Sequence, residues 1–241
     1  MQYGSGAIGE SISTPTITSW TKEPITLQQV TCFHVVAELR RSSRLQLLPP
    51  GLHPTDPPTL SIQAWEVALS PWGPFRVVFT RLSCRSGLRA RGLTTAAVTD
   101  TDAASEGLAS TFGFPCRVGA VRLAVHYDAV ELEVDRSLQV RAIDPRPLGL
   151  DDVQYTGTMN LAHTPNGLRL VQVETEHSPT QVQRLRARIS RFEPAGWGDS
   201  RLDPYHVVAA TVAAERSIVV PTVRFVCRPD VSAFVGTEKV S

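Results

Sequence analysis

From Val30 onward, apolar and polar residues alternate in short runs separated by Pro, Gly and Asn. VTCFHVVAEL (30–39), TLSIQAWEVAL (59–69), RVVFTRL (76–82) and LRARGLTTAAVT (88–99) each fit a period of two, which predicts half-buried strands. The same pattern returns in VGAVRLAVHY, AVELEVD, LQVRAID, VQYTGTMNLAH, LRLVQVETEH, QRLRARISRFE and HVVAATVAAERSIVV. Helical signals are few. RRSSRLQLLPPGL predicts a short helix stopped by Pro49 and Pro50. DTDAASEGLAST offers Asp and Ser caps for a helical turn before FGFPCR. Closely spaced strands with Pro/Gly turns predict a mainly β chain, its antiparallel sheet closing on itself or pairing face to face. No repeat or linker divides it. Residues 1–28, rich in Gly, Ser, Thr and Pro, read as a partly ordered arm, and 29–241 as one domain.

The 241 residues are 42% hydrophobic and 20% charged, enough apolar mass for a sizeable core. A formal net charge of +1 gives no reason to expect nucleic acid or an anionic membrane as partner. No apolar run reaches the roughly 20 residues of a membrane span, and no basic, apolar leader opens the chain, so a cytoplasmic protein is expected. Cys32, Cys84, Cys116 and Cys227 form no CxxC pair and the six histidines show no HxxxH spacing, so neither a metal site nor any cofactor is expected. Gly4, Gly6 and Gly9 make a formal GxGxxG, but no strand precedes it and Ser and Pro follow, which marks a flexible tail rather than a phosphate loop. Arg184, Arg186 and Arg188 alternate along one strand and read as a solvated face. Lys22 and Lys239 are the only lysines. Arginine stays protonated, so amine nucleophile chemistry is excluded from the middle of the chain.

GFPCRVG (113–119), placed after a short helix and entering a strand, resembles the Pro-Lys-Lys-x-Gly step of the acetoacetate decarboxylase family. AELRRSSRLQLLPPGL, WGPF, TPNGLRLV and GWGDSRLDPYHVVAATVAAERSIVVP resemble further family segments in the same order, over roughly residues 30–230. The resemblance implies a conical β-barrel with peripheral helices, a deep apolar cavity and a homo-oligomer. Family members decarboxylate β-keto acids through a Schiff base on the first lysine of the pair, whose amine is kept neutral by desolvation and a second cation. Here that position is Cys116 and the neighbouring cation is Arg117. Matching to the family also puts Val77 where it has a glutamate, Glu38 where it has an arginine, and Ile62 or Gln63 where it has an acid. A thiol forms no iminium, so enamine decarboxylation is not expected, and no catalytic residue can be named.

Cys116 reads either as a small hydrophobe lining the cavity or as a thiolate activated by Arg117. The second is weakened because neighbours on a strand face opposite ways. If Val77 points inward, so do Phe75 and Phe79, while Arg76, Val78 and Thr80 point out; Gln63, Trp65 and Val67 share one face of the preceding strand. The expected pocket is therefore an apolar chamber bordered by Trp65, Phe75, Val77, Phe79, Phe114 and Cys116, with Gln63, Arg117 and Glu38 as its polar groups. Three functions follow. The first is a biosynthetic cyclase or isomerase that folds a large apolar, polyketide-type substrate without covalent catalysis. The second is a non-catalytic carrier of a hydrophobic metabolite. The third is a lysine-independent lyase or hydratase acting on a keto acid, its carboxylate held by Arg117 or Arg40. An all-apolar pocket would favour the first; a pocket-facing arginine would favour the third.

Overall fold

The computed structural model describes residues 3–7, 14–40, 44–153 and 155–240. The alternating runs form strands β1 (Ile25–Leu39), β2 (His53–Pro54), β3 (Thr59–Leu69), β4 (Phe75–Ser86) and β5 (Arg89–Thr99), with helix α1 (Arg44–Leu47) after β1. Helix α2 (Asp102–Phe112) leads into β6 (Cys116–Val118), β7 (Val121–Val125), β8 (Ala129–Val134) and β9 (Leu138–Pro147). Then come β10 (Thr158–Thr164), β11 (Gly167–Val173), β12 (Glu176–Phe192), β13 (Pro204–Val220) and β14 (Phe225–Cys227), followed by helix α3 (Ala233–Gly236) and β15 (Thr237–Lys239).

These strands make one sheet, ordered β15-β14-β11-β10-β5-β4-β3-β1-β13-β12-β9-β8-β7, with β2 on β4 and β6 on β5 off that path. The chain is mainly β with few helices, as the alternation predicts. Two details differ from a closed antiparallel barrel. The strand path ends at β15 and β7, which do not pair, so no hydrogen-bonded ring closes; instead the sheet folds over and packs β7 against β4. Val121 and Leu123 belong to the same apolar cluster as Val78, so burial rather than edge pairing joins the two strands. In addition, β5 pairs parallel with both β6 and β10. Parallel neighbours need a crossover, and α2 supplies the one between β5 and β6.

Alternate residues of β1, β3 and β4 feed two separate apolar clusters. Phe33, Val35, Ile62, Ala64, Val78 and Leu82 belong to one. Cys32, Trp65, Val67, Phe75, Val77 and Phe79 belong to the other, with α2 residues Ala104, Leu108 and Phe112. Val78 and Thr80 face away from Val77, as the parity predicts, yet both are 0% exposed. The middle of the sheet is covered on both faces, so alternation there separates two cores rather than core from water.

Helix α2 begins at Thr101, whose hydroxyl accepts from the Ala104 N–H, and ends at Gly113 in the left-handed conformation (φ 71°). Asn160 Nδ2 donates to Phe112 O (2.8 Å), fixing the helix end that delivers Phe114. The N-terminal segment differs from a loose tail. Gly4 N–H donates to Leu52 O and Gly6 N–H to Leu48 O, both at 2.9 Å. A Cβ on Gly4 would stand 2.1 Å from Leu48 O, so this glycine is explained by close packing rather than phosphate binding. Gly9 lies outside the described residues. Ile17 is buried, and β1 starts at Ile25, inside the stretch assigned to the arm.

Candidate functional site

On the face shared with α2, cross-strand register lines up Val77, Phe79 and Arg81 of β4 with Gln63 and Trp65 of β3, then Cys32 and His34 of β1. Beyond β1 stand Thr211, Ala213 and Glu215 of β13. The coil before β10 adds Tyr155 and Thr156, β10 adds Thr158, and the β11–β12 junction adds Thr175 and His177. Gln63, Trp65, Arg81, Phe114, Tyr155, Thr156, Thr158, Thr175 and His177 ring a narrow cleft of about 10 Å³, room for roughly one water molecule.

Arg81 is the cation of this cleft and is 7% exposed. Its Nη1 donates to Thr156 O and Thr158 Oγ1, both at 2.9 Å, and its Nη2 to Gln63 Oε1 at 2.6 Å. Arg81 Nε has no partner, and among the described residues no carboxylate forms an ion pair with it. Burial pulls the guanidinium down to about 10. It lies over the Phe79 ring, 5.5 Å from the centroid, and Phe79 meets Trp65 edge to face at 4.9 Å and 88°. Gly92, diagonal to Arg81 on β5 and paired with Ser83, makes room for the stem: a Cβ there would stand 3.0 Å from Arg81 Cβ and 3.2 Å from Cδ.

Across the cleft, His177 Nδ1 lies 2.8 Å from each oxygen of Glu215, and both side chains are buried, 3% and 0% exposed. Tyr155 Oη donates to Glu215 Oε1 at 2.9 Å, and its ring stacks on His177 at 3.5 Å and 5°. Burial, then the Glu215 charge, pushes the Tyr155 phenol up, so it stays protonated as a donor. A carboxylate only accepts, so Nδ1 carries the imidazole hydrogen; Nε2 then faces Thr175 Oγ1 at 3.0 Å. His34, partly exposed nearby but with its ring enclosed, is held down at about 3 by burial and the Arg81 charge, and is neutral. Its Nε2 has no hydrogen-bond partner. Burial lifts the Cys32 thiol to about 12, and Gln63 Nε2 donates to its sulfur at 3.4 Å.

Of the residues singled out from sequence, Gln63, Trp65 and Phe114 line the cleft, and Phe79 stands one ring behind it. Phe75 and Val77 are buried in the same apolar cluster, and Cys116 packs against it at a partly exposed margin. The large apolar chamber these residues were expected to border is filled by their own rings. Cys116 pairs in register with Ala97, and burial lifts its thiol to about 12, so it is no thiolate near neutral pH. Arg117 and Glu38 are corrections. Strand parity turns Arg117 away from Cys116 into solvent, where it pairs with Asp135 at 2.8 Å. Glu38 lies four residues beyond His34 and accepts from Tyr205 Oη at 2.7 Å. Arg40, the other expected carboxylate holder, pairs with exposed Asp203 at 2.9 Å. Sequence reasoning missed Arg81, Tyr155, Thr175, His177 and Glu215. Extending the Phe75–Val77–Phe79 parity by one step reaches Arg81; no local pattern marks the other four as a group.

Among the described residues, no group of three or more His, Cys, Asp or Glu side chains is placed to hold a metal ion, and no helix is long and apolar enough to cross a membrane. No protein-family model matches the chain, and no curated protein matches it. Solved structures do. Acetoacetate decarboxylase from Legionella pneumophila superposes with a TM-score of 0.74 at 16% identity, covering 91% of this chain and 94% of that one. The enduracididine biosynthesis enzyme MppR, solved in complex with pyruvate, gives 0.65 at 16% identity, covering 92% of each chain. An acetoacetate decarboxylase-like enzyme from Sphingomonas wittichii gives 0.64 at 14% identity, covering 91% and 98%. A mainly β chain of this strand order, matched over nine-tenths of its length, has the acetoacetate decarboxylase-like fold.

Proposed function

We propose that the chain is a lysine-independent biosynthetic enzyme, a lyase or hydratase, that moves protons on a small oxo acid. The observation that carries this reading is Arg81. A buried cation costs several kcal/mol unless an anion meets it, and no carboxylate of the described residues does so. Facing it is His177, oriented by Glu215 and Tyr155 with Nε2 as acceptor. The pair suits a carboxylate or enolate oxygen on Arg81 and a proton leaving the carbon beside a carbonyl for His177. The MppR structures hold pyruvate in one case and a condensation product of pyruvate and imidazole 4-carboxaldehyde in another, which supports an oxo acid as the substrate class on this fold. Proton transfer by an imidazole needs no amine nucleophile, and no lysine stands between Lys22 and Lys239.

The same observations weigh against a cyclase that folds a large polyketide. The cleft is polar on one wall and holds about one water, which matches a small acid far better than a folded polyketide chain. The test is exchange of the pyruvate methyl protons in deuterated water, followed by proton NMR. Wild-type protein should exchange them well above the buffer rate. Arg81→Met and His177→Gln, each confirmed folded by circular dichroism, should fall by about 10²–10⁴-fold. No pyruvate exchange and no calorimetric pyruvate binding by wild type would overturn the reading.

A further inference from the structure

The acid–base reading leaves Thr175 unused. Leading into β12 the side chains alternate: Glu174 and Glu176 are exposed, with Glu174 paired to the buried Arg91 guanidinium, while Thr175 and His177 turn to the cleft. Thr175 Oγ1 lies 3.0 Å from His177 Nε2, and His177 Nδ1 lies 2.8 Å from Glu215. Glu215 is fixed in turn by Tyr155 Oη at 2.9 Å. A hydroxyl within hydrogen-bond reach of an imidazole, itself oriented by a buried carboxylate, is the arrangement that activates an oxygen nucleophile; it is recognised by geometry and roles, not by chain order.

We propose that Thr175 is a nucleophile and that the cleft carries an acyl-transfer activity toward small esters or thioesters whose acyl group bears a carboxylate. The proposal rests on the assignment of His177 as base and Arg81 as anion holder, not on the oxo-acid chemistry. Thr175 Oγ bonds to the acyl carbon while its proton passes to His177 Nε2. The tetrahedral oxyanion collapses, the bond to the leaving oxygen or sulfur breaks, and His177 returns the proton to that atom. Water, deprotonated by His177, then attacks the Thr175 ester, releasing the free acid and restoring the hydroxyl. Arg81 sets the substrate class, because a carboxylate on the acyl group gives the buried cation its counter-charge.

The 4-nitrophenyl monoester of succinic acid tests this directly, with neutral 4-nitrophenyl acetate as the comparison. The full-length protein should release nitrophenolate from the anionic ester faster than from the neutral one, with a succinyl group on the Thr175 peptide by mass spectrometry. Thr175→Ser should keep the label. Thr175→Val should lower ester cleavage at least about 100-fold while its circular dichroism stays that of wild type. Release no faster than buffer, label on another residue, or undiminished cleavage by Thr175→Val overturns the proposal. Labelling of Thr175 in protein that fails to exchange pyruvate protons supports the nucleophile and removes the oxo-acid reading; exchange without labelling does the reverse.

Discussion

Cys116 stands where the resemblance places a Schiff-base lysine, yet its surroundings make it inert. The thiol packs against the Phe114–Phe79 cluster and is raised to about 12 by burial, with no cation among the causes. Arg117, next in sequence, is turned to Asp135 by strand parity. The residue-scale expectation is therefore twofold. Iodoacetamide at neutral pH should leave Cys116 unmodified in the folded protein, read by peptide mass spectrometry. Cys116→Ala should keep the pyruvate proton exchange within about tenfold of wild type, because the thiol does not border the cleft. A loss near the 10⁶-fold seen when an essential nucleophile is removed would return the thiol to the chemistry. In the proposed reaction those roles fall to Arg81 and His177, which bring a charge and a lone pair where Cys116 has neither.

At the scale of elements, β4 and β5 show what alternation conveys and where it stops. Phe75, Val77 and Phe79 share a face, as period-two reasoning predicts, and Arg81 continues that face. A charged residue in such a run reads as solvent-facing, and only the three-dimensional supply of acceptors from Gln63, Thr156 and Thr158 makes its burial tolerable. Glu215 and His177 are legible as strand residues but not as partners, because β12 and β13 pair through register shifts that no local pattern announces. Gly92 supplies the missing space beside Arg81, just past the register shift between Thr80 and Arg81. Gly92→Ala would press a methyl against the guanidinium stem. Overpacking of this kind costs roughly 1–3 kcal/mol. Because the stem must move, pyruvate affinity should weaken about tenfold, while the helix contacts of α2 are untouched. Isothermal calorimetry and thermal melting on the same variant check this; a lowered melting point with unchanged pyruvate affinity would show that Gly92 serves the sheet and not the cation.

Across the whole molecule, burying the sheet on both faces leaves several ionisable groups in apolar surroundings, and their displaced titrations set the pH range of stability. His34 is held at about 3, against an ordinary 6.5. Between those values the unfolded chain binds a proton that the folded chain refuses, so stability falls as pH drops below 6.5, by at most about 1.4 kcal/mol per pH unit for this one group. The lowered carboxyls, Asp135, Asp230 and Glu238, start from 3.8 or 4.5 and add to the loss only at the acid end. On the alkaline side, Cys32, Cys84 and Cys116 are raised from 9.0 to about 12. There the folded chain keeps protons that the unfolded chain releases, so stability falls as pH rises through 9. Arg81 works the other way, since its folded form sheds a proton from about 10 while the unfolded form holds it to 12.5. Tyr155, pushed up from 10.0 by burial and the Glu215 charge, opposes Arg81 over the same range, so the loss that begins at 9 continues above 10. Urea unfolding at a series of pH values should show greatest stability between 6.5 and 9 and a decline on either side. His34→Gln should flatten the decline between about 5 and 6.5 and leave the alkaline limb in place. An acid limb of unchanged slope in that variant would mean that His34 takes up its proton in the folded chain, and so is not sealed from water behind Arg81 and His177.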